Sequence, residues 1–210
     1  MRNMLCIVMV WILGACAAAW GQGSLTPPGA PAPTMKSLDQ VEPRIPISSA
    51  GYTISRPGSY YLTTNLVGDS LTIMTSNVTL DLMGYAIVGT NWNAIDLVGN
   101  RVGVHVRNGT ISAVEGNGID FSVSSSNAAG VIENLRVVDC AIYGIVVGGG
   151  FVVRGCQVQG CNVGIGVKGD SEVIGCTISG CATGLETSGN GAYVADNIVR
   201  GNQDNYALSD

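Results

Sequence analysis

From Gly58 onward the apolar positions fall into short alternating runs. Val78, Leu80 and Leu82 alternate with Thr79 and Asp81, Val102, Val104 and Val106 with Gly103 and His105, and Ile95 and Leu97 flank Asp96. A period of two marks a strand with one buried side. The runs are broken by Asn, Gly, Asp and Ser, residues that tolerate left-handed backbone angles. The same phrases then return every 20 to 26 residues. One phrase is an apolar run, an Asn or Gly, and an x-apolar step: Val106-Arg107-Asn108-Gly109-Thr110-Ile111, Ile132-Glu133-Asn134-Leu135-Arg136-Val137, Val153-Arg154-Gly155-Cys156-Gln157-Val158 and Val173-Ile174-Gly175-Cys176-Thr177-Ile178. Leu82-Met83-Gly84-Tyr85-Ala86-Ile87 is an earlier copy with an extra residue, and Ala195 to Val199 a weaker late one. A second phrase keeps step with it: Ala94-Ile95, Gly118-Ile119, Gly144-Ile145, Gly164-Ile165 and Gly184-Leu185, at spacings of 24, 26, 20 and 20, with Tyr206 opening a further copy.

Short strands at such a period predict an all-β solenoid. The expected fold is a right-handed parallel β-helix of about six coils, in which about three strands per coil each pair with their counterpart about 4.8 Å along the axis. The stack should be roughly 25 to 30 Å long. A leucine-rich repeat shares the period, but leucine is not the recurring residue.

Stacking turns local phrases into columns. Cys140, Cys161 and Cys181 fall in one column, Cys156 and Cys176 in another. In-register neighbours sit farther apart than the usual disulfide Cβ separation, and no C-x-x-C pair suggests zinc. These cysteines are therefore expected as interior thiols, although export would permit oxidation. Arg107, Glu133 and Arg154 form an outward column of alternating sign, which stabilises the stack slightly. In Ile95-Asp96-Leu97 and Ile119-Asp120-Phe121 both aspartates should point outward, about one strand spacing apart. Such a pair can bind calcium or act as acid and nucleophile, or it can simply line a solvated face. Glu186 shares their column with Val146 and Gly166 between. Asp81 and His105 are expected to stack on another face. Asp96 and Asp120 are thus the catalytic candidates, with Asp81, His105 and Glu186 as candidates for ligand contact. No resident metal or cofactor is expected; calcium is the one cation the aspartates would suit, and two carboxylates do not fill its six or more ligand positions.

The N-terminus reads as an export segment. Arg2 precedes the apolar run Met4 to Leu13, and small residues follow. Ala19-Trp20-Gly21 fits cleavage after Gly21. Leu13-Gly14-Ala15-Cys16 fits a lipobox that would lipidate Cys16, and an uncleaved anchor is the third reading. The domain boundaries are then 1–21 for the signal, 22–33 for a Pro-rich linker, 34–57 for an N-terminal cap with a short helix capped by Thr34, and 58–210 for the repeats. The chain should be exported, to the envelope or beyond it, and should touch membrane only through this segment or a lipidated Cys16.

Composition narrows the function. Only 12% of residues are charged, and 30 are glycine. A net charge of −5 and a pI near 4.7 argue against a nucleic-acid partner. Asn77-Val78-Thr79 and Asn108-Gly109-Thr110 match the glycosylation sequon, but both fall where the repeat wants Asn at a turn.

The phrases Val-Arg-Asn-Gly-Thr-Ile and Gly-Ile resemble the right-handed β-helix repeats of the pectin-lyase-like superfamily. Arg56-Pro57-Gly58-Ser59-Tyr60-Tyr61-Leu62, with Asn77-Val78-Thr79-Leu80-Asp81-Leu82 after it, resembles the opening coil of secreted bacterial β-helix proteins of unassigned activity. The resemblance covers Thr34 to the C-terminus. It implies a fold shared by lyases, hydrolases, epimerases and non-catalytic adhesins. The hydrolases' Asn-Thr-Asp step, Asp-Asp pair and Gly-His-Gly do not occur, and His105, the one histidine, lacks flanking glycines. The leading expectation is a non-catalytic module that presents a surface to polysaccharide or another partner. The alternatives are a polysaccharide lyase or glycoside hydrolase using Asp96 and Asp120, and a truncated, inactive β-helix fragment; the open last coil would either self-associate with another chain or mark such a shortened product.

Overall fold

The alternating runs form strands, and each strand pairs in parallel with its counterpart in the next turn. The computed structural model describes residues 43–122, 127–189 and 191–209. Three columns of strands make three faces. Face A stacks Ile45–Ile47, Gly58–Leu62, Val78–Asp81, the first parts of Val102–Val114 and Ala129–Cys140, then Phe151–Arg154, Glu172–Ile174 and Tyr193–Ala195. Face B stacks Leu66–Val67, Ala86–Val88, the second parts of the same two long strands, then Gln157–Gln159, Thr177–Ser179 and Ile198–Arg200. Face C stacks Thr53–Ile54, Leu71–Ile73, Ile95–Leu97, Ile119–Phe121, Tyr143–Val147, Val163–Lys168, Thr183–Ser188 and Asp204–Ser209. The result is a parallel β-helix of about 7 turns, preceded by a partial turn whose strands pair Ile45 with Tyr60 and Thr53 with Thr72. The turn beyond the six expected opens the stack. There Leu71 occupies the column of Ile95 but follows a serine, so it does not repeat the small-residue phrase.

Faces A and B meet at a one-residue corner. Asn108, Asn134, Gly155, Gly175 and Asp196 occupy it with φ of +59°, +53°, +60°, +62° and +56°. A single left-handed residue swings the chain sharply without interrupting the pairing. Asn and Asp accept that conformation at least cost among residues with a Cβ, and glycine accepts it freely. This is why Val102–Val114 and Ala129–Cys140 each pass the corner as one paired strand of 13 and 12 residues.

Inward residues fill the coil in register. Leu80, Val106, Ile132 and Val153 stack from face A, Ile111, Val137 and Val158 from face B, and Ile95, Ile119, Ile145 and Ile165 from face C. All are buried to within 1%. Each such side chain contributes roughly 1.5 to 3 kcal/mol by leaving water. Phe121 and Phe151, on faces C and A of adjacent turns, pack with ring centroids 5.4 Å apart. Shifting any strand by one residue would turn its apolar set outward, so this interior fixes the register of every outer column.

The five cysteines among the described residues lie inside. Cys156 and Cys176 follow the A–B corner, and Cys140, Cys161 and Cys181 follow face B; all five are free and buried. The hydrogen bond to Cys140 and burial push the Cys161 thiol up to about 12, so it stays protonated and unreactive. Both columns end on an asparagine. Asn197 Oδ1 accepts from Cys176 N (2.8 Å) while its Nδ2 donates to Val173 O (2.8 Å), and Asn202 Oδ1 accepts from Cys181 N (2.9 Å). An amide replaces a thiol where backbone groups need partners.

No helix occurs among the described residues. The expected export segment, Cys16, the Pro-rich linker and the helix expected after Thr34 lie outside them.

Candidate functional site

Face C carries the two candidate aspartates where the periodicity puts them. Asp96 and Asp120 are direct partners in adjacent strands, in the column Thr72, Asp96, Asp120, Val146, Gly166, Glu186. Two asparagines hold them. Asn93 Nδ2 donates to Asp96 Oδ1 at 2.6 Å and reaches Asp120 Oδ2 at 3.4 Å, and Asn117 Nδ2 donates to Asp120 Oδ2 at 2.8 Å. The same asparagines brace the backbone: Asn93 Oδ1 accepts from Asn117 N and Asn117 Oδ1 from Tyr143 N. Ser122 closes on the other oxygen of Asp120, donating from N at 3.1 Å and from Oγ at 2.6 Å. Burial raises the Asp96 carboxyl above its ordinary value; the Asn93 bond opposes the shift and the Asp120 charge adds to it. Among the described residues no cluster of three or more His, Cys, Asp or Glu side chains is arranged to hold a metal ion.

Glu186 stands apart from this pair. It lies three turns from Asp120, on the order of 14 Å along the axis. Its partner is Tyr143, whose hydroxyl donates to Glu186 Oε2 at 2.8 Å. The Tyr143 ring lies across Gly166, where an added Cβ would sit 2.6 Å from the ring. Burial and the Glu186 bond push the Tyr143 hydroxyl up to about 12. The tyrosine is therefore a strap across three turns that occupies the Glu186 carboxylate.

On face A the expected stack of Asp81 on His105 does not form. The inward pairs Val78–Val104 and Leu80–Val106 fix a 26-residue offset, which sets Thr79 against His105 and Asp81 against Arg107. Asp81 is buried. It takes Arg107 Nε at 3.0 Å, Asn108 Nδ2 at 3.2 and 3.3 Å, and Met83 N at 2.9 Å. His105 Nε2 meets Glu133 Oε1 at 2.7 Å, and Arg154 closes on Glu133 Oε2 with Nε at 2.7 Å and Nη2 at 2.5 Å. Burial works against the Glu133 charge, but the bonds from Arg154 and His105 outweigh it and hold the carboxyl below its ordinary value. The column of alternating sign is thus Asp81, Arg107, Glu133, Arg154. Its carboxylates are occupied by their neighbours.

Face B is different. One outward column runs Ala86, Thr110, Arg136, Gln157, Thr177, Ile198, and a second runs Val88, Ser112, Val138, Gln159, Ser179, Arg200. A notch of about 290 Å³ opens between Gly109, Asn134, Leu135, Arg136, Gly155 and Gln157. A smaller one of about 170 Å³ continues it over Gln159, Thr177 and Ser179. Gly155 leaves the wall low at the corner, because it adds no side chain beside Asn134. The exposed side chains of Asn134, Arg136, Gln157 and Gln159 make no hydrogen bond or ion pair with the described residues. The repeat phrase contained this surface: Thr110, Arg136, Gln157 and Thr177 are the variable residue of its x-apolar step. Sequence reasoning passed over them because hydroxyls and amides carry no catalytic signature.

Comparison of the chain with protein-family models, with curated proteins and with solved structures found no match.

Proposed function

We propose that this chain is an exported, non-catalytic β-helix module that holds a saccharide polymer along face B. The supporting observation is the line of unpartnered groups on that face, Asn134, Arg136, Gln157 and Gln159 with the hydroxyls of Thr177 and Ser179 beside them, over a shallow notch. Amides offer both donors and acceptors, as sugar hydroxyls do, and an in-register stack spaces them one strand apart. The export segment and the resemblance to pectin-lyase-like repeats fit an extracellular glycan. The test is retardation of the exported protein in gels cast with neutral and acidic polysaccharides. At least one polymer should slow it, and the double variant Gln157→Ala, Gln159→Ala should weaken that interaction several-fold while the melting temperature holds. If no polymer retards the protein, or the double variant is retarded equally, face B is not the binding surface.

A second reading makes Asp96 and Asp120 the catalytic carboxyl pair, acid and nucleophile, of a polysaccharide-active enzyme. One observation favours it: the raised Asp96 carboxyl beside a second carboxylate. Against it, both Asp120 oxygens already accept hydrogen bonds from Asn117 and Ser122. Release of reducing ends or unsaturated sugars that disappears in Asp96→Asn would establish this reading in place of the first.

A further inference from the structure

Several arginines among the described residues are held by neighbours on the stack. Arg107 and Arg154 are paired with Asp81 and Glu133, and Arg101 Nε donates to Val98 O. Arg136 and Arg200, the two on face B, have no such partner among the described residues. Their own face supplies none: its outward columns hold hydroxyls, amides and apolar groups but no carboxylate. The nearest acids on those strands, Asp139 and Asp196, sit at the corners, in the left-handed residues that turn the chain off the face. Between its two corners face B thus carries two guanidinium groups and no carboxylate, in a chain whose net charge is −5.

Resting on the glycan reading of this face, we propose that the Arg136 notch takes an anionic substituent, carboxylate or sulfate, of an extended polysaccharide. A guanidinium offers parallel N–H donors that match the two oxygens of such a group, and it stays charged at any physiological pH. Gly155 at the corner adds no side chain that would fill the notch, while the Asn134 and Gln157 amides reach neighbouring hydroxyls. Arg200 lies three turns farther along, on the order of 14 Å. It meets a second acidic unit of a polymer lying along the axis, so oligomers long enough to span both arginines bind better than single sugars.

The experiment is titration calorimetry of the exported protein with alginate, carboxyl-reduced alginate and carrageenan at low and high salt. Alginate, carrageenan or both should bind, and carboxyl reduction should abolish or sharply weaken the alginate interaction. Which of the two anionic polymers binds tells carboxylate from sulfate. Arg136→Ala should weaken binding about tenfold, Arg136→Lys less, and Arg200→Ala several-fold, while Arg56→Ala, on another surface, should leave it unchanged. Added salt should weaken the wild type more than Arg136→Ala. Equal binding of native and carboxyl-reduced alginate, or unchanged affinity in Arg136→Ala, would overturn the anion site and leave the glycan reading standing. Absence of binding to all three polymers, with an intact melting transition, would remove both.

Discussion

Faces A and B carry polar residues at the same outward positions of the same long strands, yet those residues do different things. On face A the column Asp81, Arg107, Glu133, Arg154 alternates in sign, and its carboxylates are occupied by neighbouring cations and an amide. On face B, around the one-residue corner, Arg136 and Gln157 in the same turns have no partner within the described chain. The first is a surface whose hydrogen-bonding capacity is spent on the stack. The second has its capacity in reserve. What separates them is whether successive residues of a column complement one another. Opposite charges one strand spacing apart bind each other, whereas a column of Thr, Arg, Gln and Thr has no acceptor strong enough to hold the guanidinium.

The comparison breaks most visibly by truncating one residue on each face. Arg107→Ala leaves the buried Asp81 carboxylate without its cation and should cost about 2 to 4 kcal/mol. Gln157→Ala, in the corresponding exposed position of face B, should stay within about 0.5 kcal/mol. Urea melts of both variants test this, and similar losses would mean that face B is structural too. Acid titration sharpens it further. Because Glu133 is held below its ordinary value of 4.5, its contribution is complete above that value and fades as pH falls through the lower folded value. Glu133→Gln should therefore flatten the acid limb of the stability profile measured between pH 5 and 2 (about the span over which a depressed carboxylate titrates). The smallest effect belongs to Asp96 on face C. Its raised carboxyl means that the charged form is disfavoured by folding, a penalty absent below its unfolded value and present once pH rises past the folded one. Asp96→Asn keeps an acceptor for Asn93 and should stabilise the protein at pH 7 by up to about 1 kcal/mol. A loss of stability on thermal melting would show that the carboxylate pair supports the stack.

Much of this was legible before folding. Alternation of Val78, Leu80 and Leu82 gave the strand, and the recurring Gly-Ile phrase gave the columns, so the pairing of Asp96 with Asp120 and the two cysteine columns followed from counting residues. Counting failed where a turn departs from the phrase. Ser70-Leu71 hid the first turn, and the stack of Asp81 on His105 was drawn two residues out of register because the offset there is 26 rather than 24.

The sequence by itself determined the parallel β-helix, the direction of each side chain and the interior, because period-two patterning and a recurring turn residue are local properties of the chain. Only the tertiary structure decided which outward groups are used up. Whether Glu133 is claimed by His105 and Arg154, or Arg136 is left open over its notch, depends on side chains from turns 20 to 28 residues away meeting within hydrogen-bond distance. Those meetings depend on the register and corner geometry of the whole stack, which no single repeat contains.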